Sequence, residues 1–266
     1  MYEFNYHRPS SLDAAKKILG ENDEAKLLAG GMTLLPTMKM RLASPSDLVD
    51  LSSIEGLADI SDTGDAIEVG AMVCHAEVAA SDVVRAAIPA LSDLADTVGD
   101  AQVRNRGTIG GSVANSDPAA DYPAAVLGLN AVVKTDRREI AADDYFKGMF
   151  ETALEAGEII LSVRFPKPTR AAYTKFPNPA SRYAVVGVMV AESADGIRVA
   201  VTGAAGCAFR VTAMEDALSK DFSAGALEGI AVDATDLNTD LHASSEYRAH
   251  LVGVMARRAV QALAGR

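Results

Sequence analysis

The pattern of apolar and polar positions divides the chain into short elements. Residues 10–19 carry apolar residues at helical spacing. Ser10 with Asp13 reads as a capping box, and Gly20 as the stop. "KLL" at 26–28 reads as a strand running into a glycine turn, followed by a helical turn around Pro36. "DLVDL" and "AIEVGAMV" (66–73) read as strands. Residues 83–98 have helical periodicity with Pro89 as a weak point, and 102–123 reads as a long loop. "AAVLGL" predicts a helix, "NAVVKT" with "REIAA" a hairpin around Asp136–Arg137, and "EIILSVRFP" (158–166) a strand ended by Pro166. After "PKPTR" (166–170) the texture changes. "AAYTKF", "YAVVGVMVAES" and "GIRVAVTGAAG" predict an antiparallel meander, followed by helices at "RVTAMEDALS" and "SEYRAHLVGVMARRAVQALAG". The last helix is expected to gather Leu251, Val254, Met255, Arg258 and Leu263 on one broad face. A boundary falls near 167–171, with a further division near 52–56.

The 266 residues are nearly half apolar, enough for a real core in two or three subdomains. A formal net charge of −11 argues against a nucleic-acid partner. No apolar run is long enough for a transmembrane helix, and the opening residues carry no secretory leader pattern, so a cytoplasmic protein is expected. Two cysteines 133 residues apart cannot supply an iron–sulfur cluster or a structural zinc site, and the histidines show no ligand spacing. His75 therefore reads as an ordinary core or surface histidine, and any redox cofactor is expected to be organic and bound without metal.

Two loops carry the chemistry. Ala29-Gly30-Gly31-Met32-Thr33 and Thr108-Ile109-Gly110-Gly111-Ser112 each combine paired glycines with hydroxyls. Neither a GxGxxG dinucleotide fingerprint nor a Walker A pattern is present. Paired glycines free successive N–H groups to converge on an anion, so two facing nests would suit a diphosphate; the same pairs also occur at ordinary turns. Asp117 reads as the cap of the following helix. Asp121 reads either as a cap or as an acceptor for sugar hydroxyls.

"AGGMTLLPTMKMRL" together with "QVRNRGTIGGSVANSDPAADYPAAVLGLNA" resembles the FAD-binding medium subunit of the molybdenum hydroxylases, the carbon monoxide dehydrogenase and xanthine dehydrogenase flavoproteins. "DDYFKG" (143–148), "GEIILSVRFP" and "HASSEYRAHLVGVMARRAV" stand in the family's order. The resemblance implies an α+β fold: a PCMH-type FAD-binding domain at 1–168, built of two α/β subdomains (about 1–54 and 55–168), and a C-terminal domain of antiparallel sheet with helices at 169–266. It implies FAD contacts at Ala29, Gly30, Gly31, Met32, Thr33, Leu34 and Leu35, and at Thr108, Ile109, Gly110, Gly111 and Ser112. Asp121 would serve the adenosine end, Ile160 the adenine or flavin, and Lys175 the flavin end, where its charge could stabilise the anionic reduced ring. Val98 falls where some relatives carry an aromatic contact.

No catalytic residue and no metal ligand is expected on this chain. The resemblance further implies an iron–sulfur small subunit and a molybdenum cofactor large subunit as partners, in a dimer of heterotrimers. Electrons would pass from their clusters through FAD to NAD or a quinone. The alternatives are a stand-alone FAD-dependent oxidoreductase, or a colourless module whose glycine pairs are only turns. The sequence departs from the family pattern at Met32, at the long "KFPNPASR" spacing and at "GAAGCAFRV".

Overall fold

A computed structural model describes residues 1–264. The first unit is a three-stranded parallel sheet in the order Asn5–His7, Asp47–Asp50, Lys26–Leu28. Helix Leu12–Glu21 connects its first two strands in sequence and seats Ala15 among Val49, Leu51, Ile54 and Leu57. The cap is Ser11 rather than Ser10: Ser11 is extended (φ −144°), and its Oγ accepts from Ala14 N at 3.2 Å. Gly20 does not end the helix, which runs one residue further and stops at Asn22.

The second unit is a five-stranded antiparallel sheet in the order Ile60–Asp62, Ala66–Gly70, Ile160–Pro166, Val132–Thr135, Glu139–Ala141. The expected hairpin at Asp136–Arg137 joins the last two strands. The helical stretch at 83–98 is broken where expected. Ile88 (φ −139°, ψ 71°) separates helix Asp82–Ala87 from Pro89–Asp96, and Pro89 takes the first position, where its missing N–H costs nothing. The expected loop at 102–123 is largely helical, with turns at Ala101–Arg104 and Ile109–Asn115 before helix Tyr122–Gly128. Ile109, Val113 and Tyr122 pack into one core with Ile67, Val69, Leu91, Val163 and Phe165.

The meander forms as expected, with strands Arg170–Pro177, Ala184–Ser193, Gly196–Thr202 and Phe209–Arg210 in sequence order. An antiparallel sheet commonly leaves one face wet, but Ala184–Ala191 is buried throughout. The period-two alternation explains this. Ala171, Met189, Ala191 and Ala200 join the core of the second unit. Ala172, Val186, Val188, Val190 and Val199 pack on helix Ser245–Ala264 through Leu251, Val252 and Met255. Each such aliphatic side chain contributes on the order of 1.5–3 kcal/mol when fully buried. Arg258 is exposed and off the buried face of that helix, whose inward stripe continues through Ala259 and Val260 instead. Gly265, within the stretch expected to be helical, lies outside the described residues. Among the described residues no helix is long and apolar enough to cross a membrane.

Candidate FAD-binding site

The three units meet around a cavity of about 1050 Å³. That lies at the top of the range of roughly 300–1,000 Å³ for small-molecule sites and suits an extended dinucleotide. The first unit contributes Lys26–Leu34, the second His75, Val98, Thr108, Gly110–Ser112, Asp121 and Ile160, and the meander Ala180–Tyr183.

The two glycine loops touch. A Cβ on Gly30 would overlap the Arg106 carbonyl oxygen and lie 2.8 Å from the Gly107 Cα, and one on Gly111 would stand 3.4 Å from the Ala29 Cβ. Gly31 is left-handed (φ 74°), a conformation that favours glycine. The N–H groups of Gly30, Gly31, Met32 and Thr33 make no hydrogen bond to any described residue, so this loop can offer donors to an anion.

The second loop is built differently from the expected nest. It opens helix Ile109–Asn115, with Thr108 as cap. Gly111 N donates to Thr108 Oγ1 (3.1 Å), Gly110 N to Ala71 O (2.9 Å), Ile109 N to Val73 O (3.1 Å) and Ser112 N to Thr108 O (3.0 Å). These donors are spent within the chain. Gly110 serves close packing instead, because a Cβ there would sit 2.5 Å from that of Ala71. What the loop offers the cavity is small surface and the Thr108 and Ser112 hydroxyls.

The remaining expected residues are sorted by the geometry. Ile160 and Val98 wall the cavity. Ile109 is wholly buried in the core, and Leu35 packs beside Gly31 rather than in the wall. Asp117 does not cap the helix; its carboxylate accepts from Ala119 N (2.9 Å) in a turn, and burial pushes its carboxyl up. Asp121 stands at the helix N-terminus without a capping bond. It is 5% exposed and held by Lys175 Nζ (3.0 Å) and Tyr173 Oη (2.6 Å). Burial pushes its carboxyl up, while Lys175 and Tyr173 pull it back down. Lys175 donates also to Thr97 O and Arg182 O, both at 2.9 Å, and is not part of the wall. Asp121 and Lys175 therefore belong to one cluster. They cannot attend the opposite ends of an extended dinucleotide, because they are in contact.

Sequence reasoning missed three parts of the wall. Glu158 accepts from Arg138 Nε (3.1 Å) and Nη2 (3.0 Å), Thr135 Oγ1 (2.7 Å) and Glu155 N (2.8 Å). The Arg138 bonds above all hold its carboxyl down to about 2, against the opposing effect of burial. The His75 and Tyr122 rings lie 5.2 Å apart between centroids, tilted 38° to each other, and His75 Nδ1 and Tyr122 Oη are buried without a partner among the described residues. Ala180–Tyr183 approaches from the meander, with Arg182 left-handed (φ 63°). The chain thus presents free backbone donors, hydroxyls, an apolar wall and unspent buried polar atoms around a volume of dinucleotide size, which fits FAD.

Comparison with known proteins agrees. Residues 2–168 match the family model of the FAD binding domain in molybdopterin dehydrogenase, and residues 171–263 that of the CO dehydrogenase flavoprotein C-terminal domain. The chain is 37% identical to the nicotine 6-hydroxylase medium subunit of Paenarthrobacter nicotinovorans, over 96% of this chain and 95% of that one. It is 35% identical to the carbon monoxide dehydrogenase medium chain of Hydrogenophaga pseudoflava, over 97% and 96%. The crystal structure of quinoline 2-oxidoreductase from Pseudomonas putida 86 superposes with a TM-score of 0.90 at 30% identity, covering 99% of this chain and 98% of that one. The chain belongs to the family of FAD-binding medium subunits of the molybdenum hydroxylases, and it is an oxidoreductase flavoprotein subunit.

Proposed function

We propose that this chain is the electron-transfer subunit of a molybdenum hydroxylase complex, and that it holds FAD in the cavity between its glycine loops. The observation that carries this reading is the contact of the two loops, far apart in sequence, around one dinucleotide-sized space. When bound, FAD supplies redox chemistry able to pass electrons from partner iron–sulfur clusters to NAD or a quinone. The Gly30–Thr33 backbone donors hold the diphosphate, helped by Thr108 and Ser112. Ile160, Ala29, Met32 and Leu34 supply apolar surface, and the Ala180–Tyr183 segment excludes water. Leu35 and Ile109 act as supports behind the wall, and Gly110 lets the wall pack closely on Ala71. Asp121, clamped by Lys175, fixes the start of helix Tyr122–Gly128 against the meander.

In this reading residues 1–168, divided near residue 54, carry the cofactor, and 169–266 close the site. The partners are an iron–sulfur small subunit and a molybdenum cofactor large subunit, in a dimer of heterotrimers. The named relatives are medium subunits or chains, which supports this assembly. A cytoplasmic location accords with two unpaired cysteines.

The test is the absorbance spectrum of the native-host protein before and after denaturing release of its cofactor. Released FAD with copurifying iron–sulfur absorbance is the expected result. FAD without any metal-containing partner would mean a stand-alone oxidoreductase, and absence of flavin after incubation with FAD would end the cavity assignment.

A further inference from the structure

His75 is placed at the first position of helix His75–Ala80, directly beneath the second glycine loop. Its backbone N–H donates to Gly107 O at 2.9 Å. Its ring lies so close under Gly107 that a Cβ there would come within 2.7 Å of Nε2. The residue is 4% exposed and walls the cavity. No hydrogen bond to a described residue engages the ring. Tyr122, its ring tilted against His75 in the same wall, is fully buried with its hydroxyl unpartnered among the described residues.

Leaving a buried polar atom unsatisfied costs roughly 1–3 kcal/mol, and native interiors rarely tolerate it. The sealed atoms are His75 Nδ1 and Tyr122 Oη; His75 Nε2, which also makes no hydrogen bond to a described residue, is the ring nitrogen left to meet the occupant of the cavity His75 walls. Both side chains are uncharged near neutrality. Burial, with Arg104 nearby, lowers the His75 imidazole to about 4, and burial drives the Tyr122 phenol upward. The diphosphate already has the free donors of the Gly30–Thr33 loop. Uncharged partners suit a neutral donor or acceptor such as a ribityl hydroxyl or a carbonyl of the flavin ring.

We propose that His75, steadied by Tyr122, is a positioning residue for FAD, presenting its Nε2 edge to a neutral hydrogen-bonding group of the cofactor next to the second glycine loop. The proposal rests on FAD occupying this cavity and adds a residue to which no cofactor contact had been assigned.

The test uses the full chain labelled with ¹⁵N-histidine. There are four histidines, so His75 is assigned by its loss in His75→Phe. FAD is expected to move the His75 ring nitrogens. His75→Phe is expected to weaken FAD binding about tenfold, and His75→Gln, which keeps a polar edge, by no more than roughly threefold. A changed potential of the bound flavin in His75→Phe identifies a ring carbonyl as the partner. An unchanged potential with weakened binding identifies a ribityl hydroxyl. Unmoved ring signals on FAD addition, or wild-type affinity in a folded His75→Phe, overturn the proposal. If His75→Phe does not fold, the ring signals of the wild-type chain decide. Gly31→Val separates the two readings: if it abolishes FAD binding while His75→Phe binds normally, the cavity assignment stands and the role of His75 falls.

Discussion

Replacing Lys175 with Met tests whether that ammonium acts as a clamp or as a flavin contact. Its Nζ has three partners: the Asp121 carboxylate at 3.0 Å and the carbonyls of Thr97 and Arg182 at 2.9 Å. Both side chains are nearly sealed, 6% and 5% exposed. Met fills similar volume but leaves Asp121 buried with only Tyr173 as donor. Breaking a buried pair in this way costs about 3–5 kcal/mol. The mutant can recover part of that by protonating Asp121. A carboxyl raised in the folded state contributes stability fully present below its unfolded value of about 3.9, and lost as pH rises through the folded value. The stability deficit of Lys175→Met should therefore be smallest near pH 4 and reach its full size by pH 7. Urea unfolding of the full chain at the two pH values measures it. Adding Asp121→Asn removes the stranded charge, so the double variant should lie only about 1–2 kcal/mol below wild type. A Lys175→Met chain within about 1 kcal/mol of wild type at both pH values, but with a shifted flavin potential, would refute the clamp and return Lys175 to the flavin.

Three further outcomes follow from single positions. Gly30→Ala should cost at least about 2 kcal/mol and impair FAD binding, because its Cβ meets backbone that cannot yield; a thermal melt and a binding titration check both. Gly20→Ala should instead stabilise by about 0.5–1 kcal/mol, since Gly20 is helical with nothing within 4 Å of a Cβ; the unfolding midpoint reads it. Glu158, held down to about 2, stabilises the fold above its ordinary value of 4.5 by up to about 3 kcal/mol, less where solvent screens half-exposed Arg138. That stability is lost as pH falls toward 2, so the gap between wild type and Glu158→Gln should close on acidification.

Local pattern carried most of the longer strands, the meander, the break at Pro89 and the family, but not the short strands Asn5–His7 and Ile60–Asp62. It did not carry the helix at Ile109–Asn115. Gly-Gly is a poor helix former, and beyond the local cap by Thr108 this turn rests on Ala71 and Val73 taking its first donors, which is not written locally. The same tertiary dependence inverted the meaning of the second glycine pair, from displaying N–H groups to permitting close approach. The Asp121–Lys175 pair spans strands and helices far apart in the chain, so each looked available for a ligand on its own. His75 looked ordinary for the reverse reason: a missing partner cannot be read from a sequence. The cap expected at Ser10 falls instead on its neighbour Ser11, whose extended backbone turns its hydroxyl onto Ala14 N.

The wall at Ala180–Tyr183 bears on protein engineering. The family models part between residues 168 and 171, which invites cutting or recombining the chain there. A fragment ending at 168 would keep both glycine loops but lose one side of its cofactor chamber and Lys175, the cation paired with Asp121. Chimeras joined at that seam would need matching Asp121 and Lys175 counterparts from their two parents. The transferable cassette is the whole subunit.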